Sequence, residues 1–486
     1  MSESHHEKDT DSSASKQVDR QITHISSEEK GLSVDEMTDE QFYARLSPNR
    51  KRIIVIIVSI SCLVSPLSSL AFLPAISEIA TQFHTSATVI NISSAAYCVV
   101  MAVSPCLMGP LGDIYGRRII FLACLTLYTA TSVCVAVSQN LSMFFVFRCL
   151  TALSGTAFFA TGSSVIGDIY PPTERGNAIG WVLSGSQLGP AFGPCLGGII
   201  VNFTSWRVIF WVLAGLGLFV LVMAFCFLIE TGRFLKYKQL SSHTNSKFVF
   251  VPYNPFRVVV ALRHISLILA GMISVSLHYN MYALLTPIRY VMNPRFKLEE
   301  PIYAGLFYLA PGVGYLVGSF MGGRWADYHV RKYINKRGRR VPEDRLRSAI
   351  IAHGLALPGS ILIYGWTLDK EKGGMVVPVV CMFVCGIAQT ICFPSVNTYC
   401  VDSMPHLKGD AIASNYMIRF LAAAVASATI LTQINHIGIG WTCTISAFVL
   451  WLGFLSNAIL VVFGERLRGE DPKKSSEIEF QSQSKY

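Results

Sequence analysis

Gly109-Pro-Leu-Gly-Asp113-Ile-Tyr-Gly116-Arg117-Arg118 joins two apolar runs, and 214 residues later the chain returns to the same pattern as Gly323-Arg-Trp-Ala-Asp327. Both stretches read Gly-x-x-x-Asp at the end of an apolar run. A second pair follows the first. Asp168-Ile-Tyr-Pro171 with Arg175-Gly176-Asn177-Ala178-Ile179 matches Asp402-Ser-Met-Pro405 with Lys408-Gly409-Asp410-Ala411-Ile412, now at an offset of 233 residues between Arg175 and Lys408. The longer basic stretch 324–347 takes up the difference. The chain therefore reads as a duplicated unit, and a duplicated membrane unit places its binding site between the two copies, near the bilayer midplane.

Outward from these loops, apolar runs of about 20 residues recur, each long enough to cross roughly 30 Å of hydrocarbon at about 1.5 Å per residue. They fall near 53–75, 88–108, 119–138, 141–166, 177–201, 208–229, 265–288, 303–321, 348–367, 375–400, 411–434 and 440–463. The expected organisation is an all-α membrane protein with a disordered cytosolic tail (1–52), six helices (53–229), a cytosolic linker (230–264), six more helices (265–463) and a second cytosolic tail (464–486). Residues 1–44 are rich in Ser, Asp, Glu and His and show no apolar period, as expected of a solvated segment; a phosphoregulated signal is the alternative reading. Because the first apolar run follows 52 mostly polar residues, it reads as the first span rather than a cleaved signal peptide.

At 52% hydrophobic and 14% charged residues, the chain has too little polar surface to coat a soluble globule of 486 residues. Its net charge of +10 invites a nucleic-acid reading, but the cations gather in alternate loops: Arg50, Lys51 and Arg52; Arg117 and Arg118; six from Arg233 to Arg263; and nine from Arg324 to Arg347. The intervening loops hold few, so by the positive-inside rule both termini are cytosolic and the number of crossings is even. All 13 cysteines, from Cys62 to Cys443, fall inside apolar runs and read as free, space-filling thiols. Neither a metal nor a cofactor is called for, and no carboxylate pair or nucleophile–base spacing in the loops supports enzymatic chemistry.

The loop Gly109 to Arg118 resembles the loop signature of the major facilitator superfamily, and the resemblance extends over about 53–465. It implies twelve helices in two pseudo-symmetric halves and transport by alternating access. In this loop Gly109 and Gly116 allow tight turns, Asp113 can accept from a facing helix N-terminus, and Arg117 and Arg118 can bridge to acids; Asp327 is the second-half counterpart of Asp113. Gly189, Gly193, Pro194, Gly197 and Gly198 fit a signature that the family associates with exporters, and small residues at this spacing also let helices pack closely. The chain is most similar to the fungal twelve-span drug:proton antiporters, in the branch with quinidine-resistance, dityrosine and citrate exporters. That likeness implies a plasma-membrane exporter.

The ionisable residues within the spans are Arg148, His278, His353 and Arg419, with no Asp or Glu. A pathway for organic cations would be expected to offer an embedded carboxylate; this one offers positive or neutral groups. Arg148 and Arg419, one in each half, are expected to clamp a carboxylate together, since arginine's planar fork suits it. Gln187, His278, Asn280, Asn397 and Asn415 are candidate polar contacts, with interhelical hydrogen bonding as their alternative role. An inside-negative potential drives anions outward by about 2.3 kcal/mol per charge per 100 mV. The expected activity is export of small organic anions, citrate or related di- and tricarboxylates foremost, by a monomer in the lipid bilayer. Proton coupling stays open, and a multidrug or polyamine antiporter is the rival reading.

Overall fold

The computed structural model describes residues 43–171, 175–232, 256–297, 305–339, 341–404 and 407–468. The N-terminal tail up to residue 42 and most of the 230–264 linker lie outside the described residues. The chain divides between Ser47 and Pro48, and every helix below belongs to the unit that starts at Pro48.

The first half holds α1 (Pro48–Leu70), α2 (Ala87–Tyr115), α3 (Arg117–Ala136), α4 (Leu141–Ile169), α5 (Arg175–Phe203) and α6 (Trp206–Phe227). The second holds α7 (Ile265–Pro287), α8 (Leu309–Arg337), α9 (Leu357–Asp369) and α10 (Val376–Ser403), then a helical stretch Lys408–Leu467 that Gly438, at φ 82°, breaks into α11 (408–437) and α12 (439–467). Helices are the expected solution here, because in hydrocarbon each backbone amide must find its partner within its own segment. Side chains close two of the starts: Ser86 Oγ accepts from Val89 N at 3.4 Å, and Asn140 Oδ1 from Met143 N at 2.8 Å.

Nine segments among the described residues are long and apolar enough to cross a membrane. One of them, Gly409–Leu467, is 59 residues long and serves as two crossings once Gly438 turns it. The apolar part of α5 (Leu188–Phe203) and α9, which continues a π-helical turn at Ala352–Ala356, supply the other two of twelve. Most boundaries agree with the hydropathy reading to within a few residues. Two do not: α1 begins at Pro48 rather than 53, and α8 continues to Arg337, 16 residues past the expected 321. Hydropathy sees where a helix leaves hydrocarbon, not where its backbone stops being helical. All 13 cysteines are free, most of them buried.

Glycine faces set the closest packings. On α5, an added Cβ at Gly185 would strike the Ser59 carbonyl of α1, at Gly189 it would lie 2.6 Å from Pro66 Cβ, at Gly193 3.1 Å from the Leu67 carbonyl, and at Gly197 it would strike the Ala71 carbonyl. The predicted stripe thus seats α5 on α1, with Gly185 as a further member, Pro194 inside the helix and Gly198 buried. In the second half Gly314, Gly318 and Gly322 let α8 approach α10 in the same way. The halves meet through α2 on α11 and α5 on α8.

Candidate functional site

A cavity of about 380 Å³ lies between the halves. Its wall is made by Pro66, Ser69 and Leu70 of α1, Met101 of α2, Ser186 and Pro190 of α5, His278, Met281 and Tyr282 of α7, and Arg419, Phe420 and Ala423 of α11. These positions lie far from the ends of α2, α5 and α11, as expected of a midplane site. Pro66 and Pro190 matter locally because each removes a helix donor and frees a carbonyl one turn back.

Arg419 is 2% exposed, and its guanidinium carbon lies 4.7 Å from the Tyr416 ring centroid, 5.0 Å from Phe420, 5.1 Å from Phe393 and 5.8 Å from Phe159. The rings hold the fork in place through their faces and leave its N–H edge without a carboxylate among the described residues. His278 stands beside it, edge-on to Phe393 at 4.9 Å. Phe159 of α4 stacks on Tyr416 of α11 at 5.3 Å across the two halves. Tyr282 crosses the same boundary, its hydroxyl 3.4 Å from Cys98 Sγ of α2. Arg419 and His278 are therefore the two residues of the expected set that the structure brings together on one wall.

Arg148 is not on that wall. It is 1% exposed and packed among Phe72, Tyr97 and Phe144, with centroid distances of 3.7, 5.1 and 5.5 Å, and none of its nitrogens has a hydrogen-bond partner among the described residues. Phe159, the α4 residue that touches Arg419, is 11 residues further along the helix than Arg148. That separation is about 16 Å of helix axis. A two-arginine clamp on one carboxylate does not form; each guanidinium faces its own set of rings.

The asparagines bond to protein rather than to the cavity. Asn280 Oδ1 accepts from Ser446 of α12 at 3.2 Å. Asn415 Nδ2 donates to Asn397 Oδ1 at 2.8 Å while its own Oδ1 accepts from Ser274 at 2.7 Å, tying α7, α10 and α11 together. This is the interhelical alternative, and depth alone did not separate it from a binding role. His353 likewise faces Ser276 at 3.1 Å inside the second half. The side chains of Asp113 and Gln187 lie outside the described residues. Sequence reasoning missed Ser69, Ser186, Met281, Tyr282 and Phe420, which carry no charge to mark them.

The loop motifs meet at one end of the bundle. Arg117 Nε pairs with Asp168 Oδ2 at 2.7 Å, and Arg118 donates to the Phe225 carbonyl at 2.9 Å. Glu230 caps α3: its carboxylate accepts from the backbone N–H of Arg117 at 2.9 Å and of Arg118 at 3.2 Å. Gly116 is required there twice over, by its φ of 109° and because a Cβ would sit 2.5 Å from Glu230 Oε2. In the second half Arg345 answers Arg117, lying 3.7 Å from Asp327 and 3.3 Å from Asp402. The repeat seen in the sequence is thus a repeat of ion pairs, and Asp168 and Asp402 are held at this end rather than reaching the cavity.

A sequence profile described as Major Facilitator Superfamily matches residues 58–427. The MFS-type transporter hepF of Aspergillus oryzae is 29% identical over 87% of this chain and 91% of its own. The efflux pump radE of Floropilus chiversii is 28% identical over 85% of this chain and 80% of its own. The MFS antiporter QDR3 of Candida albicans is 24% identical over 87% of this chain and 79% of its own. Among solved structures, the human organic anion transporter MFSD10 (TETRAN) superposes with a TM-score of 0.62 at 16% identity, covering 85% of this chain and 100% of that one.

Proposed function

The chain belongs to the major facilitator superfamily and is a membrane transporter, and we propose that it exports small organic anions through the cavity around Arg419. The observation that carries this reading is a wall whose one described full charge is a guanidinium held by rings with no opposing acid. A carboxylate entering there would regain two charge-assisted hydrogen bonds in a dry site. Export, rather than uptake, is supported by the relatives named efflux pump and antiporter, and by the outward drive that an inside-negative potential places on an anion. The alternation of basic loops supports cytosolic termini, and an exporter's task supports a plasma-membrane location.

The lining also narrows the cargo. Pro66, Leu70, Met101, Pro190, Met281, Phe420 and Ala423 are apolar, and one arginine serves the described wall. A single carboxylate on an apolar body suits this better than citrate, two of whose three carboxylates would be left in low dielectric. Counterflow in liposomes with matched carboxylates and their neutral amides tests the reading: exchange of the acids but not the amides, lost in Arg419→Gln, is expected. The same apolar wall, with His278 as a titratable group upon it, supports a second reading as a proton-coupled drug or polyamine antiporter. Quinidine or spermine export that survives Arg419→Gln would favour that second reading.

A further inference from the structure

The exposed face of α8 reads, along its length, like a section through one leaflet of a membrane. Val313, Phe320 and Met321 are exposed first, then Trp325 at 47% and Tyr328 at 56%, then Arg331, Lys332 and Lys336, with Arg324 one turn before Tyr328. Residues 313, 320, 324, 328 and 331 share one side of the helix by the three-and-four spacing. The opposite side carries Gly314, Gly318, Gly322, Ala326 and Val330, all buried. At 29 residues α8 spans about 43 Å, more than the roughly 30 Å of hydrocarbon, so its last two to three turns stand in the interface and beyond. Trp325 and Tyr328 stack on one another at 6.1 Å at that level, where aromatic side chains anchor a helix.

Two further observations single this face out. The duplicated partner lacks it: α2 ends at Tyr115, six residues after Gly109, whereas α8 runs to Arg337, fourteen after Gly323. The acids nearby also have other partners. Asp327 lies against Arg345, Asp344 against Arg337 and Arg347, and Glu343 against Arg468. Arg324, Arg331, Lys332 and Lys336 form no ion pair among the described residues and are exposed.

We infer that this stripe binds the headgroups of anionic phospholipids in the leaflet at the basic end of the bundle, holding a local shell of acidic lipid against α8. Arg324 reaches that level from one turn below by extending its stem along the helix, as long cationic side chains do at an interface. Aromatic residues interleaved with cations at the boundary favour a lipid surface over a soluble acidic segment as the occupant, because a soluble peptide has no use for the apolar-to-aromatic gradient beneath the charges.

The test uses the full-length protein in detergent and counts retained lipids by native mass spectrometry, offering phosphatidylserine against phosphatidylcholine. A preference of roughly fivefold for phosphatidylserine is expected, the factor that about 1 kcal/mol per cation would give from a single residue. The R324Q/R331Q/K332Q/K336Q protein should lose the preference, and R324K/R331K should keep it. If the quadruple variant does not fold, the exposed pair K332Q/K336Q should show a partial loss. An unchanged preference in these variants would overturn the inference. So would an equal loss in R50Q/R52Q, which removes two exposed cations of α1 and would mean that any charge at this end suffices. Lipid retention that rises when residues 1–42 are deleted would instead assign the stripe to the acidic N-terminal segment.

Discussion

Arg148 and Arg419 look alike by every local measure: one in each half, each almost fully buried, each surrounded by aromatic faces. Arg419 opens onto the cavity beside His278, whereas Arg148 is closed in by Phe72, Tyr97 and Phe144 about 16 Å further along the bundle. A buried cation in a transporter is costly wherever it sits, so cost alone does not mark a binding residue. What differs is the edge of the guanidinium, which meets a cavity in one case and rings in the other.

The largest effect separating the two should come from substitution. Arg419→Gln is expected to lower kcat/KM for anion exchange by about 100-fold, the loss of one bidentate charge-assisted contact in a dry site. Arg419→Lys should recover only part of it, because the ammonium lacks the planar fork. Initial rates in liposomes read both.

Next comes the loop pair at the basic end, where the halves again use one device in two settings. Gly116→Ala forces a residue with a Cβ into φ 109° against the Glu230 carboxylate, and should cost about 2–3 kcal/mol. Gly338→Ala, at φ 75° with nothing within 4 Å of the new Cβ, should cost about 1 kcal/mol. Thermal unfolding of the two variants in the same detergent gives the order, and a reversal would show that Glu230 is not what fixes the turn.

The smallest expected effect is at Arg148. Arg148→Gln should leave the Kd for an anion within about twofold, measured by equilibrium binding, since no described part of the cavity wall would change. A loss as large as that at Arg419 would place both guanidinium groups on the same ligand and erase the difference between them.

How much of this was legible beforehand follows from the same contrast. The crossings were, because an uninterrupted run of about 20 apolar residues matches the thickness of hydrocarbon and suits little else, and so was the duplication, through Gly109 and Gly323. The end of α8 was not, since Arg324 to Arg337 is helical but polar and hydropathy reports solvent rather than backbone. Facing was the hardest quantity. A helix that is apolar all round has no sequence signal for its rotation, so Arg148, Asn280, Asn397, Asn415 and His278 all read as deep polar residues of equal standing. The structure sends His278 to the cavity, Asn280 to Ser446, and Asn397 and Asn415 to each other. Glu230 escaped notice because an acid just past a span looks like a loop residue until the N-terminus it caps is folded against it.

The claim on which the rest depends is that Arg419 receives the charge of the cargo. Counterflow in liposomes holding the purified protein addresses it most directly, with an apolar monocarboxylate, citrate, spermine and quinidine offered in parallel. The expected result is accelerated exchange of the monocarboxylate, abolished in Arg419→Gln. Exchange of spermine or quinidine that proceeds equally in the parent and in Arg419→Gln, with no carboxylate moved, would contradict it.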